Sequence, residues 1–507
     1  MTNLEIIGKL AQPKLTLFAF HLFSNLAKGD KQPRDDADHL WQKCVDLGKE
    51  LKTIPNIDSQ IAQISQDSTQ NNQQSDYLQL YQLDNGVISF ETTSQPDQLS
   101  LKGGIYPLQL HDTYALDFTL LAPKDTIEIA QIRNLNFQGC FLPRNIQASL
   151  GQTILLFVKP IDFSGELQDV ALACINSLFP DTESSHIKPY LIGKGTLLGS
   201  PIFEFDNDQE DPQLKCHILV WFNSHEKTAE LEDSGNYYRP LINLLCCRSK
   251  ILYAYHQADR CNQEARKIYS QLERKIEELD TLEPDTKKRL KQLEKLLIEF
   301  PKLSLKYARY LRDIQLHLTT IETNVFNYNY EIKQLQKHSL KDIDKLDFLQ
   351  GFSKHSRQTF QKQIGVNKSY LTAGQQLFEQ TIASIRGIVE IEQAESDRSL
   401  ERTIQILGTG LGAGGIVASA ISGHVEKPLE IGMPKDGDQF HPAVLSIFWS
   451  FLVFILVGGI VGWFNGAIPA WLSKLKQTDP KLRESHHERS LPDKTKETRQ
   501  AIPRDSE

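Results

Sequence analysis

Two long uncharged runs near the C-terminal end dominate the hydropathy pattern of the chain. Residues 443–464 read AVLSIFWSFLVFILVGGIVGWF, with neither charge nor proline and with tryptophans near both ends. A helix needs about 20 apolar residues to cross the hydrocarbon core of a bilayer, and tryptophan favours the two interfaces. Helices in soluble cores are seldom apolar on every face. This run therefore predicts a transmembrane helix.

The second run, residues 403–423, is also uncharged but richer in small residues (TIQILGTGLGAGGIVASAISG). Its small residues follow steps of four and three, so they share one helical face. They are Gly408, Gly412, Gly415, Ser419 and Ser422. We expect a first transmembrane helix here, with a surface hairpin or a re-entrant segment as alternatives. The small face suits either close helix packing or the wall of a pore.

Flanking charges predict the orientation of this two-helix hairpin. The loop of residues 424–442 is mainly acidic, whereas Lys474, Lys476, Lys481 and Arg483 follow the second run. Basic residues beside a span stay in the cytoplasm. We expect residues 424–442 outside, and both residues 1–402 and a basic, disordered tail (residues 465–507) inside. The start of the chain shows no signal-peptide pattern, which agrees with a two-pass protein of the plasma (inner) membrane.

Residues 1–240 predict a cytoplasmic α+β domain with a mixed or antiparallel sheet. A helix is expected over residues 36–51, a polar loop over residues 65–75, and a bend between strands at Gly193–Gly195. Short runs of β-forming residues are separated by Pro, Gly, Asn and Asp. These runs are residues 15–23, 77–82, 86–91, 114–121, 153–160, 190–198 and 215–223.

Composition narrows the function of this soluble part. It contains no P-loop, no dinucleotide-binding glycine motif and no hydrolase or metalloprotease motif, so we expect no enzyme. The net charge of −8 over 507 residues argues against nucleic acid as a partner. The seven cysteines include no C-x-x-C pair and predict structural thiols rather than disulfides or a zinc site. Redox activity of the neighbouring Cys246 and Cys247 is the alternative.

Residues 241–402 predict long helices that form a coiled-coil stalk. Apolar residues repeat in heptads within residues 303–336, a seam that joins helices of one subunit or of several. Its members are Leu311, Ile314, Leu318, Ile321, Val325, Tyr328, Ile332 and Leu335. Pro284 and Pro301 predict helix breaks. The last helix is expected to start near Ser356 and to reach Gly423, a length of roughly 100 Å at 1.5 Å per residue. Within it Ile364, Leu371, Phe378 and Ile385 repeat every seven residues and predict a second apolar stripe.

This organisation resembles the CorA family of divalent-cation channels. The resemblance lies in a cytoplasmic α+β domain, antiparallel helices, one very long helix that enters the first of two C-terminal spans, and a short outer loop. It implies a homo-oligomer, of five subunits in that family, around a pore lined by the first span. The family selects hydrated magnesium with a Gly-Met-Asn motif. This chain instead has Gly432-Met433-Pro434, about ten residues beyond its first run.

The pattern and the resemblance together predict a CorA-like channel for divalent metal cations, with membrane lipid and copies of itself as partners. No cofactor is expected beyond a transported cation such as Mg²⁺, and the metal ligands are unknown. Gln405 and Thr409 join the small face as pore-lining residues, and Glu430, Asp436 and Asp438 attract cations at the outer mouth. The alternative is a membrane-anchored coiled-coil scaffold or sensor without transport; an enzyme is the third possibility.

Overall fold

The computed structural model describes residues 8–395, apart from gaps at residues 26–29, 52–59, 62–63, 65–76, 82–83, 95–96, 98, 123–125 and 180–187. Contacts divide the chain into two units, Met1–Ile404 and Gln405–Glu507, and every described residue belongs to the first. No helix among these described residues is long and apolar enough to cross a bilayer. The predicted spans, the outer loop, the tail and the polar loop of residues 65–75 lie outside them.

One ten-stranded sheet forms the centre of the N-terminal region. Its strands are β1 (Lys9–Leu22), β4 (Leu78–Gln79), β5 (Ile88–Ser94), β6 (Leu99–Leu110), β7 (Thr113–Leu121), β8 (Ile127–Glu128), β9 (Gly151–Ile161), β10 (Tyr190–Leu197), β11 (Ser200–Asp206) and β12 (His217–Phe222). The order is β10-β11-β12-β9-β1-β7-β6-β4, with β5 beside β6 and β8 beside β1. Among these described strands, only β9 and β12 pair in parallel. Strands β2 (Ser24–Asn25) and β3 (Asp30–Pro33) form a separate pair.

Each of the seven predicted strand segments overlaps a strand, but the long strands β6 and β11 and the short strands β2, β3 and β8 were not predicted. Gly103, Gly104 and Pro107 interrupt the β-forming pattern of β6, and two carboxylates interrupt that of β11. The predicted bend at Gly193–Gly195 is wrong because both glycines lie inside β10. A Cβ on Gly195 would approach the Lys345 carbonyl oxygen to 2.2 Å, so the strand needs glycine for this close contact.

Helices cover both faces of the sheet. Helix α1 (His39–Glu50) and helix α3 (Leu167–Leu178) pack on one face, where their apolar side chains join those of β1, β7, β9 and β12 in the main core. The short helix α2 (Pro143–Ile146) lies before β9, and α4 (Thr228–Asp233) follows β12. The opposite face carries Phe18 of β1, whose ring lies 6.2 Å from that of Tyr238 at the start of the next helix.

Two long antiparallel helices follow the sheet. Helix α5 (Tyr238–Asp280) turns at Pro284 into α6 (Thr286–His338), which is capped by the Asp285 carboxylate. The predicted break at Pro301 is wrong because α6 continues through it. Proline in a helix costs about 3 kcal/mol, but Phe300 beside it and Tyr307 two turns later are both buried, and their packing outweighs that loss.

The last described helix also differs from its prediction. It starts at Asp347, not near Ser356, as α7 (Asp347–His355), continues through a π-helical turn (Ser356–Gln361), and ends as α8 (Lys362–Glu395). We call residues 347–395 the stalk helix. Its heptad residues Ile364, Leu371, Phe378 and Ile385 are all buried. Any continuation to Gly423 lies outside the described part of the chain.

The heptad seam joins helices of one chain. Ile314, Ile321 and the later members of the stripe on α6 are buried, whereas Leu311 and Leu318 are half-buried. Helix α6 runs antiparallel to α8, because Arg289 meets Glu392 and the Tyr307 ring lies 5.3 Å from the Phe378 ring. The Tyr307 hydroxyl also donates to the Leu371 carbonyl at 2.8 Å. Within the stripe itself, the Tyr328 ring lies 5.3 Å from the Phe352 ring on α7 of the same chain.

Candidate functional site

The site residues predicted from the sequence lie outside the described residues. These are the pore-lining residues Gln405, Gly408, Thr409, Gly412, Gly415, Ser419 and Ser422, the outer-mouth residues Glu430, Asp436 and Asp438, and the motif Gly432-Met433-Pro434. Their positions therefore stay predictions. The part of the chain that the structure describes contains other polar sites, which the sequence did not predict.

One of these sites is a buried charged cluster between the sheet and α5, which we call the junction network. It consists of Thr153, Glu204, Asp206, Lys215, His217 and Arg248. Alternation along β11 places Phe203 and Phe205 in the main core and turns the two carboxylates to the other face. There they meet α5, which carries the arginine. The sequence pattern FEFD therefore builds one apolar and one charged face.

A chain of hydrogen bonds crosses three strands of this network. The Thr153 hydroxyl lies 2.8 Å from His217 Nδ1, and His217 Nε2 lies 3.0 Å from Glu204 Oε1. Parallel pairing of β9 with β12 sets threonine and histidine side by side. All three side chains are buried.

Arg248 joins the helix to the two carboxylates. Its guanidinium donates to Asp206 Oδ2 at 2.8 Å, and its Nε lies 3.8 Å from Glu204 Oε1. That Nε is buried without a hydrogen-bond partner. The guanidinium also lies 4.9 Å from the ring centre of Phe352 on α7. One side chain thus contacts the sheet and the stalk helix together.

The charges of the junction network balance. Burial alone would raise the pKa of Asp206, but the cationic Arg248 and Lys215 lower it below its usual range. Burial and Arg248 lower the pKa of His217 despite its carboxylate neighbours, so we expect a neutral imidazole. Asp206 and Glu204 then face Arg248 and Lys215, whose ammonium lies 3.5 Å from Asp206. Buried charges of this kind persist only when they are paired.

The hydroxyl, imidazole and carboxylate of this network are the three groups of a catalytic triad, but here they are buried away from any substrate. A triad nucleophile must reach a substrate, whereas Thr153 is 1% exposed. The two ring nitrogens also have exchanged partners relative to a serine-protease triad: here the hydroxyl contacts Nδ1 and the carboxylate contacts Nε2. The network therefore holds α5 on the sheet and offers no place for a reaction.

A second polar cluster lies where α5 begins. The Tyr238 hydroxyl donates to Asp117 Oδ2 at 2.7 Å, and the Thr119 hydroxyl donates to Oδ1 at 2.9 Å. Burial raises the pKa of Asp117 to about 6, although these two donors and Lys14 oppose the shift. This carboxyl group consequently changes its protonation in weakly acidic solution.

An open cleft of about 630 Å³ lies between the start of α3, strand β10 and the start of α7. Lys194 and Lys345 line it together with Glu166, Asp169 and Asp347. Two lysines and three carboxylates thus share its lining, so the charge of the cleft is mixed and selects neither anions nor cations. Within the described ranges, no group of three His, Cys, Asp or Glu side chains is arranged to hold a metal ion.

The cysteine side chains are free thiols. Six of them are buried, and Cys261 is half-buried. Burial raises the pKa of Cys246 to about 11 and that of Cys247 above its usual range. A reactive cysteine needs a lowered pKa, so this pair fits the interpretation as structural thiols better than redox activity.

Comparison of the chain with family models, with curated proteins and with solved structures gave no match. The fold, the polar clusters and the sequence of the C-terminal part therefore carry the functional inference.

Proposed function

We propose that the protein is a homo-oligomeric membrane channel for divalent metal cations, CorA-like in its organisation. The observation that supports it best is the stalk helix. This helix begins beside strand β10 and is described as far as Glu395, and the uncharged run of residues 403–423 starts a few positions later in the sequence. A rigid helix that continues into the membrane would connect the cytoplasmic α+β region to a pore.

The first uncharged run supplies the pore wall in this proposal. Gly408, Gly412, Gly415, Ser419 and Ser422 leave room for an ion with part of its water shell. The oxygens of Gln405 and Thr409 replace lost water at the cytoplasmic end. Glu430, Asp436 and Asp438 of each subunit form acidic rings at the outer mouth, which raise the local cation concentration.

A flux assay on the purified full-length protein in liposomes, with a magnesium-sensitive dye inside, tests the proposal. Gly412→Phe places a ring on the pore face and should abolish flux in an assembled protein. Ala413→Phe is the matched control, because the next residue points about 100° away around the helix, and it should retain flux. Absence of divalent-cation flux in the wild type, at low and high Mg²⁺ and with either sign of membrane potential, would overturn the channel proposal.

The second candidate is a membrane-anchored scaffold or sensor without transport. It is favoured by Gly432-Met433-Pro434, because this triplet lies about ten residues beyond the first run and has proline where the Gly-Met-Asn motif has an amide side chain. Proline has no side-chain oxygen or N–H to contact a hydrated ion. An assembled wild type that passes no ion would favour this second candidate over the channel.

A further inference from the structure

The stalk helix contains a π-helical turn, Ser356–Gln361, between α7 and α8. A π-turn bonds an N–H to the fifth residue before it instead of the fourth, so it holds one residue more than an α-helical turn. Such turns are rare and lie frequently at functional sites. Here the turn separates two sets of contacts. Phe352 before it meets Arg248 of the junction network, whereas Phe378 after it packs on Tyr307 of α6.

Helix α8 carries two uncharged stripes that are offset from each other by one residue. The inner stripe is buried against the long helices and comprises Ile364, Asn367, Leu371, Phe378, Ile385 and Val389. The residue directly before each of these members is also uncharged. We call this second set the outer stripe: Gln363, Val366, Tyr370, Leu377, Ser384 and Ile388. Val366 is 49% exposed and Tyr370 is 72% exposed, so the outer stripe lies largely on the surface of the described chain.

The residues on the other side of the inner stripe give this offset a direction. The positions directly after its members include Lys368, Glu379, Arg386 and Glu390. A rotation of α8 that brought these residues against α6 would bury four charges, which is costly without new partners. A rotation the other way would bury only the uncharged outer stripe. The sequence of α8 therefore permits a shift of one residue in one direction alone.

The π-turn holds the one residue that this shift requires. If the turn becomes α-helical while α7 keeps its place on the sheet, α8 turns by about 100° around its axis and advances by about 1.5 Å. Each site on α6 then meets the residue one position earlier in the sequence. Tyr370 would take the place of Leu371, and Leu377 would take that of Phe378. Loss of the π-turn thus moves α8 in the direction that its charges permit.

We infer that α8 has two registers on the long helices, and that conversion of the π-turn into an α-helical turn exchanges one register for the other. The register with the π-turn is the more stable, because the second register replaces Ile364 by Gln363 and Ile385 by Ser384 in the buried seam. Since α7 is bound to the junction network, a movement in the α+β region would bias the choice between the registers. This property belongs to the described helices and does not depend on transport.

Thiol labelling of the full-length protein in detergent, with peptides identified by mass spectrometry, tests the inference. Leu371→Cys places a thiol that is buried in the observed register but takes the exposed position of Thr372 in the second. Ala258→Cys on α5 places a thiol that stays buried in both registers and reports general unfolding. Both are made in a Cys261→Ser background, because the other native thiols are buried. We expect labelling at position 371 to be at least tenfold faster than at position 258.

Deletion of Gln358 separates the register shift from other openings of the helix. Gln358 is an exposed residue of the π-turn, and its removal makes the turn α-helical while α8 keeps the observed register. The ratio of the two labelling rates, position 371 over position 258, should therefore fall at least tenfold. An unchanged ratio would overturn the inference.

Tyr370→Lys tests the second register without a deletion. Because Tyr370 is 72% exposed, the substitution leaves the observed register intact, but the second register would have to bury the new ammonium group. The ratio of labelling rates should again fall at least tenfold. Thr372→Lys is the matched control, since this position is equally close to the labelled thiol and is exposed in both registers. If the two lysine substitutions change the ratio equally, or if neither changes it, the two-register inference is wrong.

Discussion

Replacing Arg248 by methionine tests whether the junction network holds the helices on the sheet. Methionine keeps an unbranched apolar stem but removes the guanidinium, its hydrogen bond to Asp206 and its attraction for Glu204. Both carboxylates are about 5% exposed or less, so water cannot replace the lost cation. Breaking a buried ion pair by removing one partner costs about 3–5 kcal/mol. Lys215 remains 3.5 Å from Asp206 and favours the lower end of that range.

The measurement is the denaturant midpoint of the full-length protein in detergent, followed by near-ultraviolet circular dichroism. Arg312→Met on α6 is the matched control. Arg312 forms an ion pair with its neighbour Asp313, but its side chain is 57% exposed. Surface pairs contribute about 0–1 kcal/mol, so this control should lie close to the wild type.

A double mutant separates lost pairing from lost packing. Asp206→Asn removes the charge that Arg248→Met leaves unpaired, so the combined variant should be more stable than the sum of the single losses predicts. Coupling between side chains in contact is typically about 0.5–3 kcal/mol. If Arg248→Met unfolds at the midpoint of Arg312→Met, or if the two network substitutions are additive, the network contributes no charge pairing and the reasoning is wrong.

Three further predictions use other parts of the chain. Gly195→Ala should destabilise the protein by about 1–3 kcal/mol, because the new Cβ would collide with the Lys345 carbonyl oxygen. Gly351→Ala is the control: its Cβ would have open space, so it should stabilise α7 by up to about 1 kcal/mol. Burial raises the pKa of Asp117 to about 6, above its unfolded value of about 3.9. Between these values the folded state binds more protons than the unfolded state, so the free energy of unfolding should fall as the pH rises from about 4 to 6. Asp117→Asn should remove that decline from melting temperatures measured across this pH range. A cysteine at Gly437 should react with an impermeant thiol reagent added outside intact cells, and one at Ser485 should not; labelling at both would refute the predicted topology.

The regular spacing of apolar residues was sufficient to predict the buried faces of the long helices. The heptad stripe of α6 and that of α8 predict two buried seams, and the structure buries Ile321 and Phe378 within them. The same pattern cannot say which helix lies opposite, and only the fold shows that the partner is in the same chain. Pro301 misled the prediction because local propensity omits the packing of Phe300 on the same helix.

The junction network could not be derived from sequence pattern. Glu204 and Asp206 give one signal, since two carboxylates in an otherwise apolar strand need partners when they are buried. Their partner Arg248 lies in a helix 42 residues beyond Asp206, and only strand order and helix placement bring the two together. His217 gives no signal at all, because a single histidine at the start of an apolar strand is equally compatible with an exposed position.

The same geometry explains how the α+β region is connected to the stalk helix. Lys345, just before α7, pairs with Thr196 of the edge strand β10, and the Asp344 carboxylate accepts from the Gly199 N–H at 2.6 Å. Within α7, the Phe352 ring faces the Arg248 guanidinium, and Ser353 donates to Asn329 of α6 at 2.9 Å. The start of the stalk helix is thereby bound to the sheet edge and to both long helices. Closely packed elements of this kind transmit strain to one another, so a displacement of β10 or β11 would also displace the start of the stalk helix.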